Sequence, residues 1–214
     1  MVPKTALDVD SQTGPSQPTR QRILRVAKSL FTSRGFEHAS TSAIARTAGT
    51  SESQLMKHFG SKAGLLEAIF LEGWKGMTEN ARQNIQGATS PPEKLQRLAG
   101  GALLYLERDP EWKQLLLLEA RRIRKEGQLV AISEGFLEFV RLVDGVLYEM
   151  HAMNLLRPGI PPQAVRSALI GMLEGMSRDR FLANQLGFPA DFDASKMGEC
   201  MTLALGAFMA PRPA

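Results

Sequence analysis

The sequence predicts an all-α protein of about nine helices. Apolar residues recur at helical spacing along most of the chain, and the alternation of apolar and polar residues that is typical of strands is absent. Proline and glycine stand between the apolar stretches, where helices end. With 214 residues, of which 43% are apolar, the chain can bury a core in one large or two modest domains.

The segment from Thr41 to Lys62 predicts two short helices joined by a tight turn. Ala45 and Gly49 are small residues four positions apart, and the apolar Leu55 follows ten positions after Ala45. A helix-turn-helix needs this spacing, because Ala45 lets the helices cross closely, Gly49 carries the turn and Leu55 anchors the second helix. Such a unit usually places its second helix in the major groove of DNA.

The second helix of this unit has a polar face that we expect to point outward. At ~100° per residue, its side chains separate into two groups on opposite sides of the helix. The polar group consists of Ser53, Gln54, Lys57 and His58, and the apolar group consists of Leu55, Met56 and Phe59. Hydroxyl, amide, ammonium and imidazole groups can donate hydrogen bonds to phosphates or to base edges. Glu52, in the first turn, suits the helix dipole but not a nearby phosphate.

Each polar residue of this helix also has a local structural interpretation, and both interpretations stay open. Ser51 followed by Gln54 fits a capping box, in which Gln54 serves the helix rather than a base. Ser53 and Lys57 are also typical of solvated surface positions, and His58 is equally suited to local packing.

Hydroxyl residues precede the predicted helices. Ser40 or Thr41 is expected to cap the first helix of the pair, Ser51 the second, and Ser61 the helix that follows. A capping hydroxyl beside DNA can still donate to a phosphate, so Ser40, Thr41 and Ser51 remain candidate DNA contacts.

Positive charge is concentrated in this part of the chain. Residues 20–62 hold eight basic and two acidic residues, whereas the net charge of the whole chain is only +4. The basic residues are Arg20, Arg22, Arg25, Lys28, Arg34, Arg46, Lys57 and Lys62. Localised positive charge is the pattern expected of a phosphate-binding surface, although basic residues on a small helical bundle are often only solvated.

The segment from Arg22 to Phe70 resembles the DNA-binding domain of TetR-type (TetR/AcrR) transcriptional regulators. The residues that carry the resemblance are Ile23, Ala27, Phe31, Gly35, Ile44, Ala45, Ala48, Gly49, Ser51, Leu55, His58, Phe59, Lys62, Leu65 and Leu66. The resemblance implies that three helices bind DNA and that a fourth links them to a larger helical domain, which binds a small molecule and forms the dimer. It also implies that Lys62 reaches a phosphate.

Two positions depart from the family pattern. Met56 stands where the family usually has an aromatic residue that contacts the DNA backbone, and Thr50 replaces the usual valine before Ser51. The first departure removes one expected phosphate contact.

The predicted organisation has three parts. Residues 1–18 are polar and contain several prolines, so we expect a mobile tail. Residues 19–73 form the helix-turn-helix DNA-binding domain, and residues 74–210 form a helical effector-binding and dimerisation domain. Outside the short pair, the predicted helices span residues 19–34, 62–85, 91–108, 111–126, 129–155, 162–186 and 194–209.

The last two helices contain many small residues. Ser167, Gly171 and Gly175 recur every four positions and therefore line one stripe, and Gly198, Ala204, Gly206 and Ala207 form a similar set. Glycine within a helix costs about 1 kcal/mol relative to alanine, and close approach of another helix is one reason to tolerate it. We expect these helices to pair with their copies in a homodimer, with close packing inside one subunit as the alternative.

An effector pocket between the helices of the second domain is harder to define. Candidate lining residues are Trp112, Phe136, Phe139, Met150, Met172 and Met176, each of which could equally be ordinary core. Glu119, Arg121 and His151 are candidate polar contacts, with surface ion pairs as the alternative.

Enzyme chemistry has little support in the sequence. Glycine-rich phosphate loops, His-Glu-x-x-His zinc patterns and Gly-x-Ser-x-Gly elbows are absent. The single Cys200 excludes an internal disulfide and cysteine-rich zinc sites, which fits a reducing cytoplasm. An apolar run of ~18 residues, as a membrane span requires, is also absent. A protein-binding helical adaptor is a further alternative, but it leaves the polar face around Lys57 unexplained.

These observations predict a dimeric, sequence-specific transcriptional regulator that binds a near-palindromic operator. We expect a repressor without metal or cofactor, released from DNA by a small, largely apolar effector.

Overall fold

Helices account for the regular structure of the described residues, which are 18–118, 133–188 and 190–211 of the computed structural model. The helices are α1 (Thr19–Arg34), α2 (Thr41–Thr47), α3 (Glu52–Phe59), α4 (Lys62–Ile85), α5 (Pro91–Arg108), α6 (Pro110–Leu118), α7 (Glu134–Ala152), α8 (Pro162–Leu186) and α9 (Ala194–Phe208). An isolated antiparallel bridge joins Leu156 to Met209. The prediction of an all-α chain is confirmed.

The bounds of four helices, α1, α4, α5 and α8, agree with the prediction. The prediction was wrong at both ends of α7, because Ser133 is an extended N-cap whose hydroxyl accepts from the Phe136 N–H, and Asn154 adopts a positive φ of 56°. Apolar residues continue at helical spacing through these positions, whereas the helical conformation of the backbone does not. The tail 1–17, the end of the predicted helix 111–126, the start of helix 129–155 and Pro189 lie outside the described residues.

The first three helices enclose one end of the apolar core. Ile23, Ala27 and Phe31 form the buried stripe of α1, and they meet Ile44 of α2 and Leu55 of α3. These residues recur at helical spacing and form one apolar stripe. Burial of this stripe packs α1 across α2 and α3.

Helix α4 connects this core to the second part of the molecule. Its first half buries Leu65 and Phe70 against α1 and α3, and its second half buries Trp74 and Met77 against the later helices. With 24 residues it is about 36 Å long. The two parts therefore share one continuous apolar core.

Helix α6 packs against α1 and α4 at the junction. The Trp112 ring lies on the backbone of α4 at Gly73, where an added Cβ would come within 1.9 Å of the indole nitrogen. Gln114 donates a hydrogen bond to the Thr32 carbonyl at 3.2 Å, so α6 also contacts α1 directly.

None of the helices within residues 18–118, 133–188 and 190–211 is long and apolar enough to cross a membrane. The same residues contain no cluster of histidine, cysteine, aspartate or glutamate suited to a metal ion.

Candidate nucleic-acid interface

The turn between α2 and α3 is built as its small residues predict. Gly49 has a φ of 65°, and the Thr50 N–H donates to the Ala45 carbonyl at 3.0 Å. Ala45 is 2% exposed and Leu55 is fully buried, so the two helices are in close contact at the predicted positions. The predicted roles of Ala45, Gly49 and Leu55 are confirmed.

The outward face of α3 consists of Ser53, Gln54, Lys57 and His58, all of them exposed. Leu55 alone is buried in this helix, and Phe59 is half-buried. The prediction that Met56 packs inward was wrong, since its side chain is 41% exposed. In so short a helix the buried face is centred on Leu55, and Met56 lies 100° away from that centre.

Ser51 caps α3, with its hydroxyl accepting from the Gln54 backbone N–H at 3.1 Å. The reciprocal half of a capping box is missing, because the Gln54 side-chain amide has no hydrogen-bond partner among the described residues. Gln54 therefore keeps its amide available to an outside partner.

The neighbouring helices are capped in the same way. The Ser40 hydroxyl accepts from the Ala43 N–H at 3.2 Å, and the Ser61 hydroxyl accepts from the Gly64 N–H at 2.9 Å. An accepting hydroxyl retains its own proton for donation, so Ser40 and Ser51 can still bind a phosphate.

Thr41 and Glu52 connect the first turns of α2 and α3. The Thr41 hydroxyl donates to the Glu52 carboxylate, which makes this candidate donor occupied. Glu52 is exposed and places a negative charge beside the polar face of α3.

Six of the eight basic residues fall into two groups, paired and unpaired. Arg20 pairs with Glu72 of α4 at 2.8 Å and Lys28 pairs with Asp109, just before α6, at 2.6 Å, so both cations are neutralised within the chain. Arg25, Arg34, Arg46 and Lys57 are exposed and have no ion-pair partner within the described ranges.

Lys62 lies at the start of α4 and is half-buried. Its ammonium group donates to the Glu37 carbonyl at 3.2 Å and lies 4.5 Å from the centre of the Phe36 ring. A cation at a helix N-terminus is unfavourable to the dipole, and these two contacts offset that cost.

A largely apolar cavity of about 60 Å³ lies between α4, α5, α6, α7, α8 and α9. Its walls include Trp74, Leu98, Leu106, Leu116, Phe139 and Leu169. Leu95, Leu98, Ala102 and Leu106 of α5 all line it, although their spacing indicates only a buried stripe. Periodicity identifies a buried face and does not distinguish a filled core from a cavity wall.

Of the six predicted lining residues, Phe139 lines the cavity. Trp112, Phe136 and Phe139 surround Trp74 at ring-centroid distances of 5.4, 5.0 and 5.6 Å. Trp112 and Phe136 thus support the cavity wall from behind.

The three predicted methionines have other positions. Met150 is fully buried in the core, whereas Met172 and Met176 are half-buried on α8, and none of them lines the cavity. His151 is exposed and is not part of the lining, and Glu119 and Arg121 lie outside the described residues.

Charged groups at the edge of the cavity are engaged in ion pairs. Lys113 and Arg180 share the Glu107 carboxylate at 2.8 and 2.9 Å, and Arg166 pairs with Asp144 at 2.5 Å. Burial raises the pKa of Glu107, but the hydrogen bonds from Lys113 and Arg180 outweigh it and hold that pKa below its ordinary value.

Two polar groups on the cavity wall lack partners. The indole N–H of Trp74 and the hydroxyl of Ser177 are buried and have no hydrogen-bond partner among the described residues.

The outward faces of α8 and α9 are open. A Cβ added at Gly171, Gly175 or Gly206 would meet no atom within 4 Å, so close packing inside one subunit does not explain these glycines. Leu186 and Leu203 are 75% and 74% exposed on the same two helices.

Part of the chain is similar to a known family of proteins. Residues 23–69 match the family model described as bacterial regulatory proteins, tetR family. The HTH-type transcriptional regulator UidR of Escherichia coli (strain K12) is 37% identical over 79 residues, which are 37% of this chain and 40% of the relative. The chain therefore spans less than half the length of this relative. The HTH-type transcriptional repressor KstR2 of Mycolicibacterium smegmatis is 27% identical over 148 residues, covering 68% of this chain and 72% of the relative.

A solved structure shares the fold. FadR from Bacillus subtilis, a transcriptional regulator crystallised in complex with stearoyl-CoA, superposes with a TM-score of 0.76 at 19% identity. The superposition covers 86% of this chain and 96% of FadR. The family comprises transcriptional regulators rather than enzymes. Residues 23–69, which hold the helix-turn-helix, are therefore similar to the corresponding segment of the tetR family of bacterial regulatory proteins.

Proposed function

We propose that this protein is a homodimeric repressor that binds a near-palindromic operator through α3 and leaves it when a small apolar molecule enters the cavity. The observation that carries the proposal is the arrangement of α3. Leu55 anchors the helix in the core, while Ser53, Gln54, Lys57 and His58 stand exposed together on the other side. A helix held from behind, with donors in front, suits the major groove.

The proposed contacts divide by chemistry. Gln54, Lys57 and His58 carry side-chain donors that reach base edges or phosphates, with Ser53 beside them. Ser40, Ser51 and Lys62 lie at helix N-termini, where backbone N–H groups favour phosphate. Thr41 joins this second set only when its hydroxyl leaves Glu52.

The dimer would form through α8 and α9. Glycines facing open space and exposed leucines on the same two helices are unfavourable for an isolated chain, and a second copy would cover both. Two-fold symmetry would then place two α3 helices on two half-sites, which predicts a near-palindromic operator.

Effector binding would act on the DNA-binding part through α6. This helix supplies Lys113, Leu116 and Leu117 to the cavity, and its start is attached to α1 through Asp109 and Lys28. FadR, which shares the fold, was crystallised in complex with stearoyl-CoA, and this supports a small-molecule ligand for the present chain. A coupling free energy of ~1–3 kcal/mol is expected between the two sites.

The test begins with selection of the preferred DNA site from a random pool, followed by gel-shift measurements. We expect Lys57→Ala combined with Lys62→Ala to lower affinity at least tenfold and to reduce the slope of log affinity against log salt by ~2. Lys75→Ala, an exposed lysine on α4, is the control and should bind like the wild type. Equal binding by the double variant, or a flat salt response, would contradict the proposal.

A further inference from the structure

We propose that the cavity selects a neutral, largely apolar molecule with one hydrogen-bond acceptor, such as a ketone or ester oxygen, over an anionic molecule of the same size. The proposal rests on the proposed function for the role of the ligand. The chemical class of the ligand is inferred from the polar groups that surround the cavity.

The cavity wall offers two unused donors. Trp74 on α4 and Ser177 on α8 both line the cavity and are 4% and 2% exposed, and neither the indole N–H nor the hydroxyl has a hydrogen-bond partner. A buried donor without a partner is costly, and the cost is recovered when an acceptor arrives. The indole can only donate, so the complementary ligand atom is an acceptor.

The cations at the cavity are already paired. Lys113 is held by Glu107 at 2.8 Å and Arg166 is held by Asp144 at 2.5 Å, with each carboxylate outside the lining. An anionic ligand would have to take Arg166 from Asp144, which would leave that half-buried carboxylate without its cation, or take Lys113 from Glu107, which would leave Glu107 with Arg180 alone. A neutral ligand avoids these costs.

The size of the cavity favours a small molecule. Its volume of about 60 Å³ is below the ~300–1,000 Å³ of typical ligand pockets. The half-buried side chains Leu117, Ile170 and Leu173 line it and must move outward as a ligand enters. Short-chain or compact molecules require the least movement.

The experiment compares three probes that share one carbon number: methyl hexyl ketone, octanoate and octane. Binding to the full chain without DNA is measured by displacement of the neutral dye Nile red. We expect the ketone to bind at least fivefold more tightly than octane, and octanoate to bind more weakly than the ketone.

Ser177→Ala tests the acceptor contact. We expect this substitution to weaken ketone binding about fivefold and leave octane binding unchanged. The ligand-free variant should also unfold at a higher temperature, because an unpaired buried hydroxyl is removed. If Ser177 had only a structural role, its replacement by alanine would lower the unfolding temperature. Thr78→Val is the matched control, since the Thr78 hydroxyl is equally buried and unpaired but does not line the cavity.

The outcomes separate this proposal from the proposed function. Tightest binding of octanoate, failure of all three probes to displace the dye, or an unchanged ketone affinity in Ser177→Ala would each overturn the proposed ligand chemistry. DNA binding is measured separately on the same preparation. Ketone selectivity without any DNA binding would sustain the cavity chemistry and contradict the regulator.

Discussion

The Lys28 ammonium group on α1 lies 2.6 Å from the Asp109 carboxylate. That carboxylate also accepts a hydrogen bond at 3.0 Å from the backbone N–H of Trp112 on α6. One side chain therefore joins α1 to the start of α6, a helix that lines the cavity. The ring of Trp112, three residues after Asp109, packs against Trp74 of the cavity wall. This connection gives α6 a physical route to influence α1.

Substitutions at Asp109 should separate the two bonds. Asp109→Asn retains an oxygen that can accept from the Trp112 N–H but removes the ion pair, so we expect a loss of stability below ~1 kcal/mol. Asp109→Ala removes both bonds and should cost ~1–2 kcal/mol. Urea unfolding measures both values. Equal stability of the two variants would show that the bond to Trp112 contributes nothing.

Glu52→Gln should strengthen DNA binding. Glutamine can still accept from the Thr41 hydroxyl, so the contact between α2 and α3 is retained while the negative charge beside α3 is removed. We expect a roughly two- to fivefold gain in affinity at low salt, shrinking as salt is added. Gel-shift titrations at two salt concentrations measure it, with unfolding temperature as the control. Unchanged binding would place Glu52 away from the DNA, and weaker binding would contradict the proposed repulsion.

Acid should weaken the ion-pair cluster around Glu107. Because the folded-state pKa of this carboxyl is lowered, its stabilising contribution is present above the ordinary glutamate pKa of 4.5 and is lost as pH falls through the lower folded value. Glu107→Gln should therefore lower stability by about 1–2 kcal/mol at neutral pH, a value reduced by partial exposure. Unfolding measured from neutral pH down past pH 4.5 should show this difference disappear. A constant difference at all pH values would contradict the assignment.

A charge on the outward stripe of α8 should break the dimer. Gly175 faces open space in one subunit, so Gly175→Glu leaves the subunit intact but places two like charges in the proposed interface. We expect the dimer dissociation constant to rise roughly 100-fold or more, as read by sedimentation. Gly100→Glu on α5 is the control, since Gly100 also faces open space within a helix. A wild-type protein that sediments as a monomer at micromolar concentration would rule out the dimer.

Local features of the chain were predictable because they depend on nearest neighbours. In the helix-turn-helix, Ala45 is small, Gly49 has a left-handed φ and Leu55 is buried, each at its predicted position. Helix α5 was likewise bounded by Pro91 and Asp109-Pro110. Such signals need no knowledge of distant residues.

The candidate interface was predicted less evenly. Gln54 and Lys57 are exposed as their angular positions on α3 predict, whereas Met56 also faces solvent because a single leucine fills the buried side. The bond from Thr41 to Glu52 spans eleven positions across two helices, and helical spacing within either helix does not reveal it.

The sequence by itself determined most of the helices, the bounds of α1, α4, α5 and α8, and the exposed donors of α3, because each depends on a few consecutive residues. Tertiary structure decided which apolar residues enclose the cavity, which cations are neutralised and where the glycines of α8 face. Phe139 lines the cavity while Met150 fills the core, and Lys28 is neutralised by a residue 81 positions away. Those outcomes depend on how distant helices cross. The local sequence around an apolar stripe or a charged residue does not identify the residue that contacts it in the folded protein.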